Sequence, residues 1–271
     1  MSDQPLSGRT ALVTGANHGI GAATAAALAT LGADVAITYL RLEVDDDSSR
    51  PADYARMRRA NADSVIARVE SVGGQCLALE ADLVDPAVPA VLFDEVEATL
   101  GPVSILVNNA SAWRQDTFAP DTGDRFHRRT ELMSAASFDA QFLVDARASA
   151  LLIAELAHRH RDRGDTWGRI VSLTSGGPNG FPGEASYGAA KAALENYTMT
   201  AAIELASAGI TANVVHPPVT DTGWITDAVR QFVATSEDHV HVAEPAEVAE
   251  VIAWLCTDAA ALVSGNVLRL R

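Results

Sequence analysis

The chain has 271 residues, 48% hydrophobic and 20% charged, with a formal net charge of −15 and a pI near 4.7. That length supports a sizeable core, and so acidic a chain without a basic tract argues against nucleic acid or an anionic membrane as partner. The two cysteines, Cys76 and Cys256, lie far apart in apolar contexts and read as free, buried thiols of a reducing compartment. The N-terminus shows no apolar signal core, and no run reaches the roughly 20 apolar residues a membrane span needs, so a soluble cytoplasmic protein is expected.

Residues 10–14 form a short apolar β-like run that feeds Gly15, Asn17, His18, Gly19, Ile20 and Gly21, then an alanine-rich helix ending at Gly32. Strand, glycine turn and helix in that order cradle a phosphate, because glycines let the backbone approach a pyrophosphate and the helix N-terminus aims N–H groups at it. Residues 34–39 read as the second strand. An acid at its tip would mark a site for the ribose of NAD; Tyr39 stands there instead, with Arg41 two residues on. No carboxylate is expected there to repel a 2′-phosphate, so NADP(H) is favoured over NAD(H).

Residues 42–60 carry Asp45, Asp46 and Asp47 and exceed a tight connection. They read as a solvated insertion leading into a helix through residue 72, and no metal site is expected. Residues 76–81 form the third strand, followed by Asp82 and Leu83, a helix over 87–100, and a fourth strand over 104–109 ending in Asn108, Asn109, Ala110 and Ser111. Strands alternating with helices imply a parallel sheet with right-handed crossovers, and ligands bind such sheets at the strands' carboxyl ends, where Gly15, Asp82 and Asn109 fall.

Residues 112–137 are a second long loop, charged around Arg125, His127, Arg128 and Arg129. It reads either as solvated loop or as a lid whose cations meet an acidic group. A helix over 138–160 carries Asp145, and a fifth strand over 169–175 delivers Ser175. After the helix that begins near Tyr187 comes a sixth strand over 210–216, ending in Pro217, Pro218, Val219, Thr220 and Thr222. Residues 223–243 form a substrate loop with Trp224 and Phe232 as apolar anchors, and with His239 and His241 as exposed loop residues rather than metal ligands. A helix from Pro245 and a seventh strand over 267–270 close what reads as one domain.

Tyr187 and Lys191 sit one helical turn apart on one face. A cation within about 4–6 Å favours a phenolate, which makes Tyr187 a candidate general acid or base. The spacing alone also fits a chance surface lysine. Of the 20 Lys and Arg residues, however, Lys191 is the one lysine. A chain so biased toward arginine retains a compact, rotatable ammonium at that position, chemistry that a planar guanidinium does not offer.

Together Gly15, Gly19 and Gly21, Asp82 and Leu83, Asn108 to Ala110, Ser175, Tyr187 and Lys191, Pro217 with Thr222, and Ser264 with Gly265 resemble the motifs of the short-chain dehydrogenase/reductases, over nearly the whole chain. The similarity extends to 3-oxoacyl-ACP-reductase-like members of that family. The resemblance implies an α/β fold, a Rossmann-type doubly wound parallel sheet of about seven strands with helices on both faces, a nicotinamide cofactor, and a homotetramer or homodimer. It implies that Tyr187 protonates a carbonyl oxygen while Ser175 hydrogen-bonds it. Lys191 would hold the nicotinamide ribose and lower the Tyr187 pKa. The Gly15 turn, Asn109, Val219, Thr220 and Thr222 would hold the remainder of the cofactor.

Three departures stand out. Asp145 occupies the position where the family places a fourth catalytic residue, Asn, and a carboxylate there competes with Tyr187 for the lysine's charge. Ser111 replaces a glycine, and Pro218 replaces another at the cost of a backbone N–H. The expected activity is NADP(H)-dependent interconversion of a small-molecule carbonyl and alcohol. The alternatives are reduction of C=C or C=N bonds, a dehydratase or epimerase step, or a non-catalytic NADP(H) sensor.

Overall fold

The structure, a computed structural model, describes residues 4–42, 51–119, 123–126, 128–177 and 179–271. Strands β1 (Thr10–Val13), β2 (Asp34–Tyr39), β3 (Cys76–Glu80) and β4 (Val103–Asn108) come first in the chain, then a two-residue pair, β5 (Asp116–Thr117) and β6 (Glu131–Leu132). β7 (Gly168–Leu173), β8 (Ile210–His216) and β9 (Val267–Arg269) follow. Among the described residues, seven of these form one parallel sheet in the order β3-β2-β1-β4-β7-β8-β9. The order reverses between β1 and β4, and a crevice opens outside the strand ends at such a switch point.

Successive strand residues face opposite layers, so both sides must be covered. Ala11 and Val13 of β1 point into one core, and Leu12 between them points into the other. The first core is covered by α1 (Gly19–Thr30), α3 (Asp63–Ser71) and α9 (Pro245–Leu255). The second is covered by α4 (Val88–Leu100), α6 (Ser149–Arg163) and α7 (Ala185–Glu204). On α1 the buried side chains include Ala23, Ala25, Ala26 and Ala29, small enough for the helix to lie close to the strands. The expected Rossmann-type architecture is what forms.

The connections depart from the sequence expectation in three places. The insertion after β2 carries a separate helix, α2 (Ala52–Arg59), while Asp45, Asp46 and Asp47 lie outside the described residues. The helix expected over 138–160 begins earlier as α5 (Ala135–Phe142), because Ser134 and Ser137 form a reciprocal capping box. It then widens into a π turn over Leu143–Ala148 before α6. The loop over 223–243 contains α8 (Asp227–Thr235), started by the Thr226 hydroxyl accepting from the Val229 N–H. Cys256 is buried but Cys76 is only half-buried; neither is in a disulfide. Burial pushes the two thiols up, to about 11 for Cys76 and about 12 for Cys256. Among the described residues no helix is long and apolar enough to cross a membrane.

Candidate active site

The glycine turn between β1 and α1 is built by close approach. Gly15 and Gly19 have φ of +62° and +58°, the left-handed region that side chains avoid. A Cβ on Gly21 would stand 2.5 Å from Asn109 Nδ2 and 2.6 Å from the Gly15 carbonyl oxygen, and one on Gly15 would stand 2.7 Å from Ala110 Cα. Asn109 spends its amide on the turn, with Nδ2 donating to the Thr14 and Gly15 carbonyls at 2.8 Å each. The Thr14 hydroxyl in turn accepts from the Asn109 and Ala110 N–H groups at 3.0 Å. Asn109 therefore fixes the shape of the turn.

The N-terminus of α1 fits a pyrophosphate. His18 precedes the helix in extended conformation with no side-chain cap, and its first turn contains no acid, so nothing negative competes for those N–H groups. Burial, then Arg58 on α2, pulls the His18 imidazole down to about 4, so it is neutral at neutral pH. Ile20 packs against the core below. Thr222 reaches the same turn: its Cγ2 lies 2.9 Å from where a Gly19 Cβ would stand. The segment before it is pinned by the Thr220 hydroxyl donating to the Pro218 carbonyl at 2.9 Å and by the Ala243 N–H donating to the Val219 carbonyl at 2.9 Å. Pro217 joins this segment to β8, and the Asn17 amide donates to the Ala60 carbonyl at 2.8 Å, tying the turn to the end of α2.

At the far end of β2 the structure corrects an expectation. β2 and β3 pair Tyr39 with Glu80, and this register brings the Glu80 carboxylate to Arg41, with Arg41 Nε 3.0 Å from Oε1 and Nη2 2.7 Å from Oε2. A carboxylate is therefore present beside Tyr39 and Arg41 after all, supplied by the neighbouring strand. Hydrogen bonding to Arg41 holds Glu80 below its ordinary range. Asp82, just beyond β3, accepts the Val84 N–H at 2.9 Å, and Leu83 is buried in the second core.

Ser175, Tyr187, Lys191 and Asp145 come together. β7 ends two residues before Ser175, and the start of α7 is held by Asp116, whose carboxylate accepts the Ser186 N–H at 2.8 Å and the Ser186 hydroxyl at 2.5 Å. The Ser175 hydroxyl bears on the Tyr187 phenol and favours its ionised form. Lys191 Nζ lies 5.6 Å from the centroid of the Tyr187 ring. It also lies 3.0 Å from Asp145 Oδ1, an ionic contact whose angle falls outside hydrogen-bond geometry, with side-chain exposures of 3% and 0%. Asp145 sits in the π turn, a device common at functional sites. Its Oδ2 accepts the Ala112 N–H at 3.0 Å and the Gln141 amide at 2.6 Å.

The Tyr187 phenol is pushed up, opposite to the expectation from the tyrosine–lysine spacing. Burial is the largest cause, the Asp145 and Glu184 carboxylates follow, and the Ser175 hydroxyl opposes them. Sequence reasoning did foresee that Asp145 would offset the lysine. It missed Glu184, although that residue lies three before Tyr187. Glu184 is 5% exposed; burial pushes its carboxyl up, Arg128 and the Trp113 indole oppose that rise, and its Oε1 accepts from Arg128 Nη2. Arg128 is also buried, 2.8 Å from Glu184 and 2.6 Å from Asp124, so this cation of the loop is spent within the protein. Tyr54 and Arg58, on α2, carried no motif by which to be found. Ser111 accepts the Trp113 N–H at 3.2 Å, which gives the departure from glycine a local role. His239 and His241 are engaged by Ser236 and Glu247, and among the described residues no cluster of three potential metal ligands occurs.

Comparison with known proteins agrees with this geometry. The family model described as "Enoyl-(Acyl carrier protein) reductase" matches residues 15–270. A 3-oxoacyl-[acyl-carrier-protein] reductase of Synechocystis is 32% identical, covering 96% of this chain and 94% of its own. An NADPH-dependent aldehyde reductase-like protein of Arabidopsis thaliana is 32% identical, covering 97% and 93%. A short chain dehydrogenase of Burkholderia cenocepacia, solved in complex with NADP, superposes with a TM-score of 0.79 at 30% identity, over 98% of this chain and 97% of its own. With its sheet order, glycine turn and matched residues, the chain belongs to the short-chain dehydrogenase/reductase family of oxidoreductases.

Proposed function

We propose that this protein interconverts a carbonyl and an alcohol with NADP(H), and that Tyr187 gives or takes the proton. The observation that carries the reading is the Tyr187 phenol with Ser175 bearing on it and with the Nζ of Lys191, the one lysine of the chain, 5.6 Å from its ring. The nicotinamide, when bound, supplies a hydride to the carbonyl carbon or removes one from the alcohol carbon. In the reducing direction the Tyr187 hydroxyl passes its proton to the carbonyl oxygen as that oxygen becomes an alcohol, and the Ser175 hydroxyl donates a hydrogen bond to it. A phenol pushed up by burial is fully protonated at neutral pH, which suits an acid. Lys191 would hold ribose hydroxyls and steady the phenolate left behind.

The Gly15, Gly19 and Gly21 turn with Thr222 would hold the pyrophosphate, and Arg41 the 2′-phosphate. The exposed Arg41–Glu80 pair is weak and exchangeable, so a phosphate can take the place of Glu80. The NADPH and NADP named for the Arabidopsis relative and the Burkholderia structure support the same cofactor here. Reduction of a C=C bond is a second reading, favoured by the description of the matched family model. A homo-oligomer is supported by exposed apolar side chains, Tyr197 and Ile203 on α7 and Trp254 on α9, and sedimentation velocity tests it.

The deciding experiment follows NADPH and NADH oxidation with ketones, aldehydes, enones and imines, with Tyr187→Phe alongside. The expected result is ketone or aldehyde turnover with NADPH that falls by about 10²–10⁴ in the variant while NADPH binding persists. Full activity in Tyr187→Phe would overturn the proton-donor role, and turnover of enones alone would move the reaction to C=C bonds.

A further inference from the structure

Three aromatic side chains from three separate segments meet beside Tyr187. Tyr54 comes from α2, Trp113 from beyond β4, and Trp224 from beyond β8. The Tyr54 and Trp113 rings pack edge to face with centroids 5.1 Å apart, and Trp113 and Trp224 are 6.1 Å apart. Trp113 follows Ala112, whose N–H donates to Asp145, and Asp145 lies 3.0 Å from Lys191, whose Nζ is 5.6 Å from the Tyr187 ring, so the cluster borders the Tyr187 and Lys191 end of the site.

Its construction is specific. Trp113 has φ of +45°, the one positive value outside glycine among the described residues, and strain of that kind persists only where the surroundings impose it. Here they do: the Ala112 N–H donates to Asp145 and the Arg114 N–H donates to Gln141 Oε1 at 2.7 Å, so both sides of Trp113 are tied to the π-turn region. The Trp224 indole donates to the Thr220 carbonyl at 3.0 Å. The Trp224 N–H is thus taken by the protein and the Trp113 indole bears on the Glu184 carboxylate, which leaves carbon surfaces as what the rings offer. Arg128 stands 5.5 Å from Trp113 and 5.3 Å from Trp224 in cation–π contact. Flanked by Asp124 and Glu184, it supports the rings and offers no charge to an anionic substrate.

We propose that Trp113 and Trp224, backed by the buried Tyr54, form a clamp that selects a flat, uncharged aromatic carbonyl compound, with the ketone directed at Tyr187. The proposal rests on the carbonyl-reductase reading and names its substrate class. Aromatic pairs at centroid distances of about 4.5–7 Å gain beyond their buried area, and a saturated ring of equal size does not. An acidic substrate would gain nothing from Arg128, which is already held between Asp124 and Glu184.

The test compares 2-tetralone with its saturated counterpart 2-decalone, measuring kcat and KM with NADPH, together with calorimetric titration of 2-tetralol into protein saturated with NADP. Wild type should favour 2-tetralone by about tenfold or more in kcat/KM, chiefly through KM, and Trp224→Leu and Tyr54→Leu should bring the ratio close to one and weaken 2-tetralol binding about tenfold. Equal kcat/KM for the two ketones in wild type would overturn the clamp. So would variants that lose both substrates in equal proportion, for the rings would then only hold α2 in place. If Trp113→Leu does not fold, Trp224→Leu decides. Should no ketone turn over while 2-tetralol binds wild type and not Trp224→Leu, the reaction assignment fails and the clamp stands.

Discussion

The two ends of the strand edge are held together in opposite ways. At the glycine turn, backbone lies against backbone: Asn109 and Thr14 close the turn with four hydrogen bonds to main-chain groups, and the missing Cβ atoms of Gly15 and Gly21 leave no slack. At the mouth beside Tyr187, side chains hold side chains, with Arg128 between Asp124 and Glu184 and three aromatic rings on top. The first arrangement specifies a shape that a pyrophosphate fits whatever the substrate. The second specifies a surface chemistry, and one substitution rewrites it without disturbing the sheet. Asp145 joins the two halves of the site, one oxygen toward Lys191 and the other on the Ala112 N–H.

The sharpest break of that contrast is Gly21→Ala. A Cβ there would overlap three atoms, Asn109 Nδ2, the Gly15 carbonyl oxygen and Ala16 Cα, and overpacking costs about 1–3 kcal/mol. Calorimetric NADPH affinity should drop by at least about tenfold and the Tm should fall; unchanged affinity would mean that the turn is less rigid than its packing implies. Next comes Asn109→Ala, which strips hydrogen bonds from the Thr14 and Gly15 carbonyls. About 1–3 kcal/mol per unsatisfied group is expected, read as a lower urea midpoint and weaker NADPH binding, with the 2-tetralone to 2-decalone ratio left intact.

Asp145→Asn probes the residue shared by both regions. Its carboxylate is the second cause, after burial, of the raised Tyr187 phenol, so removing the charge lets the phenol titrate lower. Alcohol oxidation requires Tyr187 without its proton, and its rising limb of kcat/KM against pH should move to lower pH. Carbonyl reduction requires the proton, and its falling limb should move the same way, with kcat near neutrality changing within about tenfold. Profiles that stay in place would leave Asp145 with a structural role alone.

The smallest effect belongs to Glu80→Gln. Freed from its carboxylate partner, Arg41 should bind NADPH about two- to fivefold more tightly at low salt, a gain that fades as salt rises, with NADH unaffected. A matching gain for NADH would separate Arg41 from the 2′-phosphate.

Much of the site was legible because it is written in backbone. Strand, glycine turn and helix can be read from residues 10–32, and Ser175, Tyr187 and Lys191 from their positions after a strand and along one helix face. What escaped depends on contacts between distant segments. Glu80 reaches Arg41 only through the register of β2 and β3. Tyr54 matters only because α2 folds over the glycine turn, where Asn17 meets the Ala60 carbonyl. The direction of the Tyr187 shift escaped because spacing along α7 reports Lys191 but neither the burial nor Glu184, which together with Asp145 push the phenol up.

The sequence by itself determined the alternation of the seven sheet strands with helices, the glycine turn and the placing of Tyr187 and Lys191 on one helix face, since these follow from hydrophobic periodicity, glycine's freedom at positive φ, and short-range helical geometry. Only the tertiary structure decided which charges stand beside Tyr187 and Arg41, and which rings wall the mouth. Those follow from segments brought together across the sheet edge, where burial and close contact, absent from the linear chain, set the sign and strength of every interaction.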